Sequence, residues 1–220
     1  MPKVLISDKL SAESVKVFEK YGIDVEINTN LSEKDLNNKI GSFDGLAIRS
    51  STQVTKKTLK YANNLKIIGR AGIGVDNIDL DMATQKGIIV MNTPFGNSIT
   101  TAEHTIALMM ALSRNIPLAN TSTHEGKWEK SLFTGTELYS KVLGMIGCGN
   151  IGSIVADRAQ GLKMQVKVYD PFLTDARAKE IGVQKLNFDA LLKVSDFLSL
   201  HVPLTNSTKN IINSNSLKKM

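Results

Sequence analysis

Three glycines with the spacing Gly-x-Gly-x-x-Gly follow a short apolar run, Val142–Ile146. The run predicts a buried strand, and the helical spacing of the apolar residues after the glycines predicts a helix. In such a unit the first glycine allows a tight turn, the second lets a phosphate approach the backbone, and the third lets helix and strand pack closely. The unpaired N–H groups of the helix attract phosphate, so we expect a pyrophosphate site here rather than an ordinary turn. The residues expected to form it are Gly147, Gly149, Asn150, Ile151 and Gly152.

A second apolar run, residues 166–169, ends in the acidic residue Asp170. An acid at this position, about 20 residues after the glycines, binds the ribose hydroxyls of NAD in dinucleotide sites. Its negative charge would repel the 2′-phosphate of NADP. Asp170 therefore favours NAD as the cofactor, although a simple turn acid before Pro171 is the alternative.

Two arginines, Arg49 and Arg70, each follow a predicted strand in the first half of the chain. Ligands of parallel sheets bind beyond the carboxyl ends of the strands. A guanidinium group offers paired donors that match a phosphate or a carboxylate. Either arginine alone could be a surface cation, but the two together predict an anion site.

Strands and helices alternate along residues 1–92, which predicts a parallel sheet covered on both faces. A turn-rich segment at residues 92–97 then marks a domain boundary. We expect two α/β domains, residues 1–97 and residues 98–220. The motif Gly72-Ile73-Gly74 lacks a third glycine and a following helix, and it is interpreted as a loop.

A long helix is predicted over residues 100–113, with a capping box at Thr100–Glu103 and with Met109 and Met110 in the core or an interface. Pro117 is expected to end this helical region, and Trp128 lies in a connector that is predicted to be exposed. Gly161 is expected to cap the helix after the glycine turn.

Composition excludes several classes of protein. The net charge of +6 suits an anionic ligand, but the basic residues are scattered, which argues against a nucleic-acid partner. No apolar run of about 18 residues is present, which argues against a membrane span. The single cysteine, Cys148, cannot form an internal disulfide, which is typical of a reducing cytoplasm. A redox role for Cys148 is not favoured.

The three histidines show no metal-ligand spacing, so no metal site is predicted. His201 follows a predicted strand, residues 197–201, whose end faces the same edge as the glycine loop. A catalytic base is possible at this position, but no carboxylate partner lies nearby in the sequence. A backbone contact from the strand end to the cofactor is the favoured interpretation.

Together these motifs resemble the NAD-dependent D-2-hydroxyacid dehydrogenases, and most closely the members that oxidise 3-phosphoglycerate. The resemblance extends over essentially the whole chain. The matching stretches are Ile48–Thr52, Gly69–Asp79, Met91–Pro94, Gly96–Ser98, Gly126–Glu129, Gly135–Leu138 and the glycine loop.

The resemblance implies a flavodoxin-like substrate-binding domain followed by a Rossmann NAD-binding domain. It implies that the substrate is a phosphorylated 2-hydroxyacid, and that the helix after Asn97 and the connector around Trp128 form a homodimer or a higher homo-oligomer. The substrate residues implied are Arg49, Ser50, Arg70 and Gly72. The further cofactor residues implied are Ile73, Asn97, His201, Val202 and Pro203.

The family's catalytic arginine, glutamate and histidine match nothing in this chain, and they are expected beyond Met220. The Rossmann domain is accordingly expected to be incomplete at its carboxyl-terminal end, and the 220 residues alone are expected to be inactive. Two alternatives stay open: another D-2-hydroxyacid substrate such as glycerate or lactate, and a non-catalytic NAD-binding module like the family's transcriptional corepressors.

Overall fold

The computed structural model describes residues 1–220, which divide into two compact units, Met1–Asn97 and Ser98–Met220. No helix in either unit is long and apolar enough to cross a membrane.

The first unit is a five-stranded parallel sheet with the strand order β2-β1-β3-β4-β5. This is the flavodoxin-like order 2-1-3-4-5, and the predicted fold class is confirmed. Its elements are β1 (Lys3–Ile6), α1 (Ala12–Lys20), β2 (Asp24–Ile27), α2 (Glu33–Lys39), β3 (Gly45–Ile48), α3 (Lys56–Tyr61), β4 (Ile67–Arg70), α4 (Leu80–Gln85) and β5 (Ile89–Asn92), with a 3-10 turn at Ile40–Ser42.

Alternating side chains of the central strands bury both faces of this sheet. Leu5 joins the larger core with residues of β3 and β4, whereas Val4 and Ile6 face the opposite side with Ala47. Three helices begin at polar caps, where the side chains of Ser32, Thr55 and Asp79 each accept a backbone N–H three residues later.

The second unit has a four-stranded parallel sheet with the order β8-β7-β6-β9. This corresponds to the order 3-2-1-4 within a dinucleotide-binding sheet. Its elements are α5 (Ser98–Ser113), α6 (Ile116–His124), β6 (Val142–Ile146), α7 (Asn150–Gly161), β7 (Gln165–Tyr169), α8 (Asp175–Glu180), β8 (Gln184–Lys185), α9 (Phe188–Val194), β9 (Phe197–Leu200) and α10 (Ser214–Leu217), with a 3-10 turn at Lys130–Phe133.

Several predicted helix boundaries were wrong. Helix α5 begins at Ser98, so Thr100 and Thr101 lie inside it and form no capping box. Pro117 does not end a helical region but lies in the first turn of α6, where its missing N–H costs nothing. Gly161 is the last residue of α7 rather than its cap, and Lys163 takes the left-handed conformation instead (φ 61°).

The core of the second unit lies between the sheet and its helices. Helix α5 packs on α7, where Ala102 and Met109 meet Val155 and Ala159 in one buried cluster. Met110 also packs against this cluster, which confirms the core prediction for the methionine pair. The opposite face of α5 carries Leu108 and Leu112, which are exposed.

Candidate functional site

The glycine loop joins β6 to α7, and each glycine has a different steric role. Gly147 has φ 89°, and a Cβ there would lie 2.5 Å from the His201 carbonyl oxygen. A Cβ on Gly152 would lie 2.8 Å from the Gly147 carbonyl oxygen. Gly149, in contrast, faces open space, because a Cβ there would meet no atom within 4 Å. The loop therefore packs tightly on the protein side and leaves room at Gly149 for an approaching ligand.

Helix α7 begins directly after this open position. Its cap residue is Gly149, which has no side chain to accept a hydrogen bond from the first amides. Asn150 and Ile151 lie in the first turn of α7, and their backbone N–H groups are among those that a helix leaves unpaired. With the partial positive charge of the helix start, these amides suit an anionic group such as a pyrophosphate.

Asp170 follows β7 and is bound to the loop itself. Its Oδ2 accepts the backbone N–H of Cys148 at 2.8 Å, and its Oδ1 accepts that of Phe172 at 2.8 Å. A carboxylate has about four acceptor sites, so two remain for hydroxyl groups. Beside Asp170 lies an open cavity of about 430 Å³, bounded by Tyr169, Lys185 and Asn187. The loop, the helix start and this carboxylate together fit a dinucleotide.

Cys148 is buried in the core of the second unit. Burial raises the pKa of its thiol, and the charge of Asp170 raises it further. The thiol therefore stays protonated at neutral pH and is a poor nucleophile.

His201 lies just after β9 and beside the glycine loop. Its backbone N–H donates to the Ile146 carbonyl oxygen at 2.8 Å, and its Nε2 lies 2.9 Å from the hydroxyl of Ser199. Burial lowers the pKa of its imidazole. Val202 Cγ1 also lies against Gly147, at 2.7 Å from a Cβ built there, whereas Pro203 is exposed. Strand end and glycine loop thus form one continuous surface in the second unit.

In the first unit the predicted substrate residues meet at a cavity of about 400 Å³. Arg49, Gly72 and Asn97 all line it. Asn97 was expected to contact the cofactor, and the structure groups it with Arg49. Ser50, the neighbour of Arg49, is exposed, and Ile73 is held by a hydrogen bond from Asn92 Nδ2 to its carbonyl oxygen at 2.6 Å.

Sequence reasoning missed other residues that line this cavity. Lys9 and Ser11 lie in the segment between β1 and α1, and Thr93 follows β5. All three follow the carboxyl ends of strands, so the rule that drew attention to Arg49 would have found them too.

Arg70 is placed differently from Arg49. Its side chain is only 10% exposed, with the guanidinium 3.9 Å from Asp76 Oδ1. It lies against the loop that follows, because a Cβ on Gly72 would be 2.7 Å from Arg70 Nη1. Its Nε is buried without a partner. Arg49 and Arg70 therefore do not form a matched pair of exposed cations, and a substrate role for Arg70 stays a prediction.

No cluster of three or more histidine, cysteine, aspartate or glutamate side chains could hold a metal ion.

Comparison with known proteins places these features in context. Residues 106–220 match the family model described as D-isomer specific 2-hydroxyacid dehydrogenase, NAD binding domain. The chain is 46% identical to D-3-phosphoglycerate dehydrogenase of Archaeoglobus fulgidus over 218 residues, covering 99% of this chain and 41% of that protein. It is also 46% identical to the Synechocystis enzyme of the same name, covering 100% of this chain and 40% of that protein. The chain thus spans about two fifths of the length of these relatives.

A similar solved structure is D-lactate dehydrogenase from Aquifex aeolicus complexed with NAD and lactic acid. The TM-score is 0.87 at 29% identity, and the match covers 99% of this chain and 66% of that one.

Proposed function

Because the chain belongs to the D-isomer specific 2-hydroxyacid dehydrogenase family, we propose that the protein acts in the NAD-dependent oxidation of 3-phosphoglycerate to 3-phosphohydroxypyruvate. The cofactor of this family's matched domain is NAD. The observation that carries the proposed substrate is the 46% identity, over nearly the whole chain, to proteins named D-3-phosphoglycerate dehydrogenase.

In this proposal the second unit binds the cofactor. Gly149 and the first amides of α7 bind the pyrophosphate, and Asp170 accepts hydrogen bonds from the ribose hydroxyls. His201, Val202 and Pro203 line the surface beside Gly147. When bound, the nicotinamide supplies the acceptor for the hydride that leaves C2 of the substrate.

The first unit binds the substrate. The exposed guanidinium of Arg49, with the ammonium of Lys9 on the same cavity, suits a ligand with two anionic groups such as a phosphorylated acid. Ser50, Gly72, Ile73 and Asn97 complete the surfaces proposed to contact substrate and cofactor.

Oxidation also needs a base for the hydroxyl proton, and we propose that this base is not among the 220 residues. The imidazole Nε2 of His201 already contacts the hydroxyl of Ser199. Loss of general acid–base help alone costs about 10²–10⁴-fold in rate. We therefore expect these 220 residues alone to oxidise 3-phosphoglycerate at no useful rate.

The proposed reaction is tested by following NADH absorbance with 3-phosphoglycerate, D-glycerate and D-lactate. The 220-residue chain and a version extended to the length of its relatives are assayed in parallel. We expect turnover only in the longer protein, with 3-phosphoglycerate as the preferred acid.

One observation favours lactate as a second candidate substrate, namely the close structural similarity to an enzyme solved with NAD and lactic acid. Preference for D-lactate in the same assay would support this candidate. NADH binding without turnover of any acid in the longer protein would favour a non-catalytic module.

The protein is further proposed to form a homodimer or a higher homo-oligomer, without a nucleic-acid or membrane partner, in the cytoplasm. Exposed leucines on α5 and α6 and the tryptophan Trp128, which is 85% exposed, support self-association. The scattered basic residues argue against a nucleic-acid partner, and the single buried cysteine supports the cytoplasm.

A further inference from the structure

The loop Arg49–Thr52, which presents Arg49 to the cavity of the first unit, is held by two buried polar side chains from distant parts of the chain. They are Asp8, which follows β1, and Asn77, which follows β4 and its glycine loop. We propose that Asp8 and Asn77 are positioning residues that fix the backbone of Arg49 so that its side chain meets the substrate's anionic group. This inference rests on the proposed function.

Asp8 holds the N–H groups of the loop. The residue is 6% exposed, and its Oδ2 accepts the backbone N–H of Arg49 at 2.6 Å and that of Thr52 at 3.2 Å. Its Oδ1 accepts the hydroxyl of Thr52 at 2.8 Å. Asp8 forms no salt bridge, and the donors to its buried oxygens are two backbone N–H groups and a hydroxyl group. The buried carboxylate of Asp8 therefore stabilises the conformation of the loop Arg49–Thr52.

Asn77 holds the carbonyl groups of the same loop. The residue is 5% exposed, and its Nδ2 donates to the carbonyl oxygen of Arg49 at 2.8 Å and to that of Thr52 at 2.7 Å. Its Oδ1 is buried without a partner. The side chain is therefore used only as a double donor, which a carboxylate of the same shape could not be.

The two side chains together bind the backbone on both sides of Arg49. The N–H of Arg49 is held by Asp8 and its carbonyl by Asn77, so both flanking peptide planes are fixed while the side chain of Arg49 stays exposed. The backbone carbonyl of Asn77 also accepts the N–H of Val54 at 2.8 Å. One residue thus links the loop that carries Arg49 to the loop that carries Gly72.

The test uses Asn77→Asp, which keeps the shape of the side chain and removes both donors. Its matched control is Asn64→Asp, because Asn64 Nδ2 donates to the Gly41 carbonyl oxygen at 2.8 Å on the same unit, away from the cavity. Each chain is titrated with 3-phosphoglycerate and, separately, with NADH, with binding followed by NMR. We expect Asn77→Asp to weaken 3-phosphoglycerate binding about tenfold or more, as befits the loss of two hydrogen bonds. NADH affinity should stay unchanged, and Asn64→Asp should alter neither.

A double-mutant cycle separates positioning from general loosening. If Asn77 acts through Arg49, the loss of 3-phosphoglycerate affinity caused by Asn77→Asp should disappear when Arg49 has already been replaced by Ala. Equal losses in both backgrounds would overturn the inference, as would normal 3-phosphoglycerate binding by Asn77→Asp.

A wild-type chain that binds NADH but not 3-phosphoglycerate would overturn the proposed substrate together with the inference. Should Asn77→Asp fail to fold, hydrogen exchange in the wild-type chain decides. The amides of Arg49 and Thr52 should exchange more slowly than those of Ser50 and Ser51. Equal rates would contradict the inference, because they would show that Asp8 does not hold the two amides.

Discussion

Gly149 and Gly147 differ in what a methyl group would meet. We expect Gly149→Ala to leave the free energy of unfolding nearly unchanged, because the new Cβ faces open space. NADH affinity should fall strongly, because the methyl group occupies the side from which the pyrophosphate approaches. Urea unfolding and calorimetric NADH titration measure the two effects.

The matched variant is Gly147→Ala, which should lower the free energy of unfolding itself. Its φ of 89° and the 2.5 Å approach to the His201 carbonyl oxygen leave no room for a side chain. If Gly149→Ala binds NADH as well as the wild type, the pyrophosphate does not lie where we propose.

The charge of Asp170 is expected to determine the choice of cofactor. Replacing Asp170 with Ala removes the acceptor for the ribose hydroxyls and the repulsion of a 2′-phosphate. A hydrogen bond to a charged group contributes roughly 1.5–3 kcal/mol, so NADH affinity should fall by about ten- to a hundredfold. The preference for NADH over NADPH should narrow. Calorimetry with both cofactors measures this, with Asp157→Asn on the exposed side of α7 as the control. An unchanged preference would assign the discrimination to another residue.

Burial of His201 makes the stability of the protein depend on pH. Because its folded-state pKa lies below the ordinary value of about 6.5, the unfolded chain binds the proton first as the pH falls. The contribution of His201 to stability is thus complete above about pH 6.5 and is lost progressively below it. Urea unfolding across this range should show a steeper loss for the wild type than for His201→Gln. Parallel curves would mean that another group is responsible.

At the level of elements, the strands and the glycine turn could be predicted because burial imposes a clear pattern on them. Val142–Ile146 is apolar throughout and lies in the middle of its sheet. Helix α4 is harder to predict because six residues give little helical periodicity, although its cap Asp79 is visible in the sequence. The prediction for Pro117 was wrong because a proline can either follow the end of one helix or lie in the first turn of the next. The turn at Asn115, whose φ is 51°, separates the two helices and is not visible in the sequence.

The candidate site was predictable only in part, for a similar reason. Arg49 and the glycines carry local signals of their type and spacing. The contacts of Asp8 and Asn77 with the Arg49 loop, and the burial of Arg70 beneath its own loop, depend on residues that meet only in the folded chain. No local sequence pattern predicts such contacts, because the residues that make them are far apart in the sequence.

The exposed face of α5 is expected to form the dimer interface. Leu108 and Leu112 lie one turn apart on this face, and Leu112 is 74% exposed. The double change Leu108→Glu and Leu112→Glu should convert a dimer to a monomer in light scattering, because it places charge within an apolar contact. Val17→Glu, an exposed position on α1, is the control. A wild type that is monomeric at micromolar concentration would contradict the dimer.

At the scale of the whole molecule, the chain has two α/β units, each built on a parallel sheet. In both units the proposed site residues follow the carboxyl ends of strands. In the first unit they surround Arg49, and in the second they surround the glycine loop. The net charge of +6 suits the anionic ligands that we propose for both units. We therefore expect cofactor binding to survive changes around Arg49 in the first unit.

The central claim is that the second unit is an NAD site built on the glycine loop and Asp170. Calorimetric titration of the 220-residue chain with NADH and with NADPH tests it most directly. We expect one NADH per chain, bound more tightly than NADPH. Absence of NADH binding, or tighter binding of NADPH, would contradict the claim.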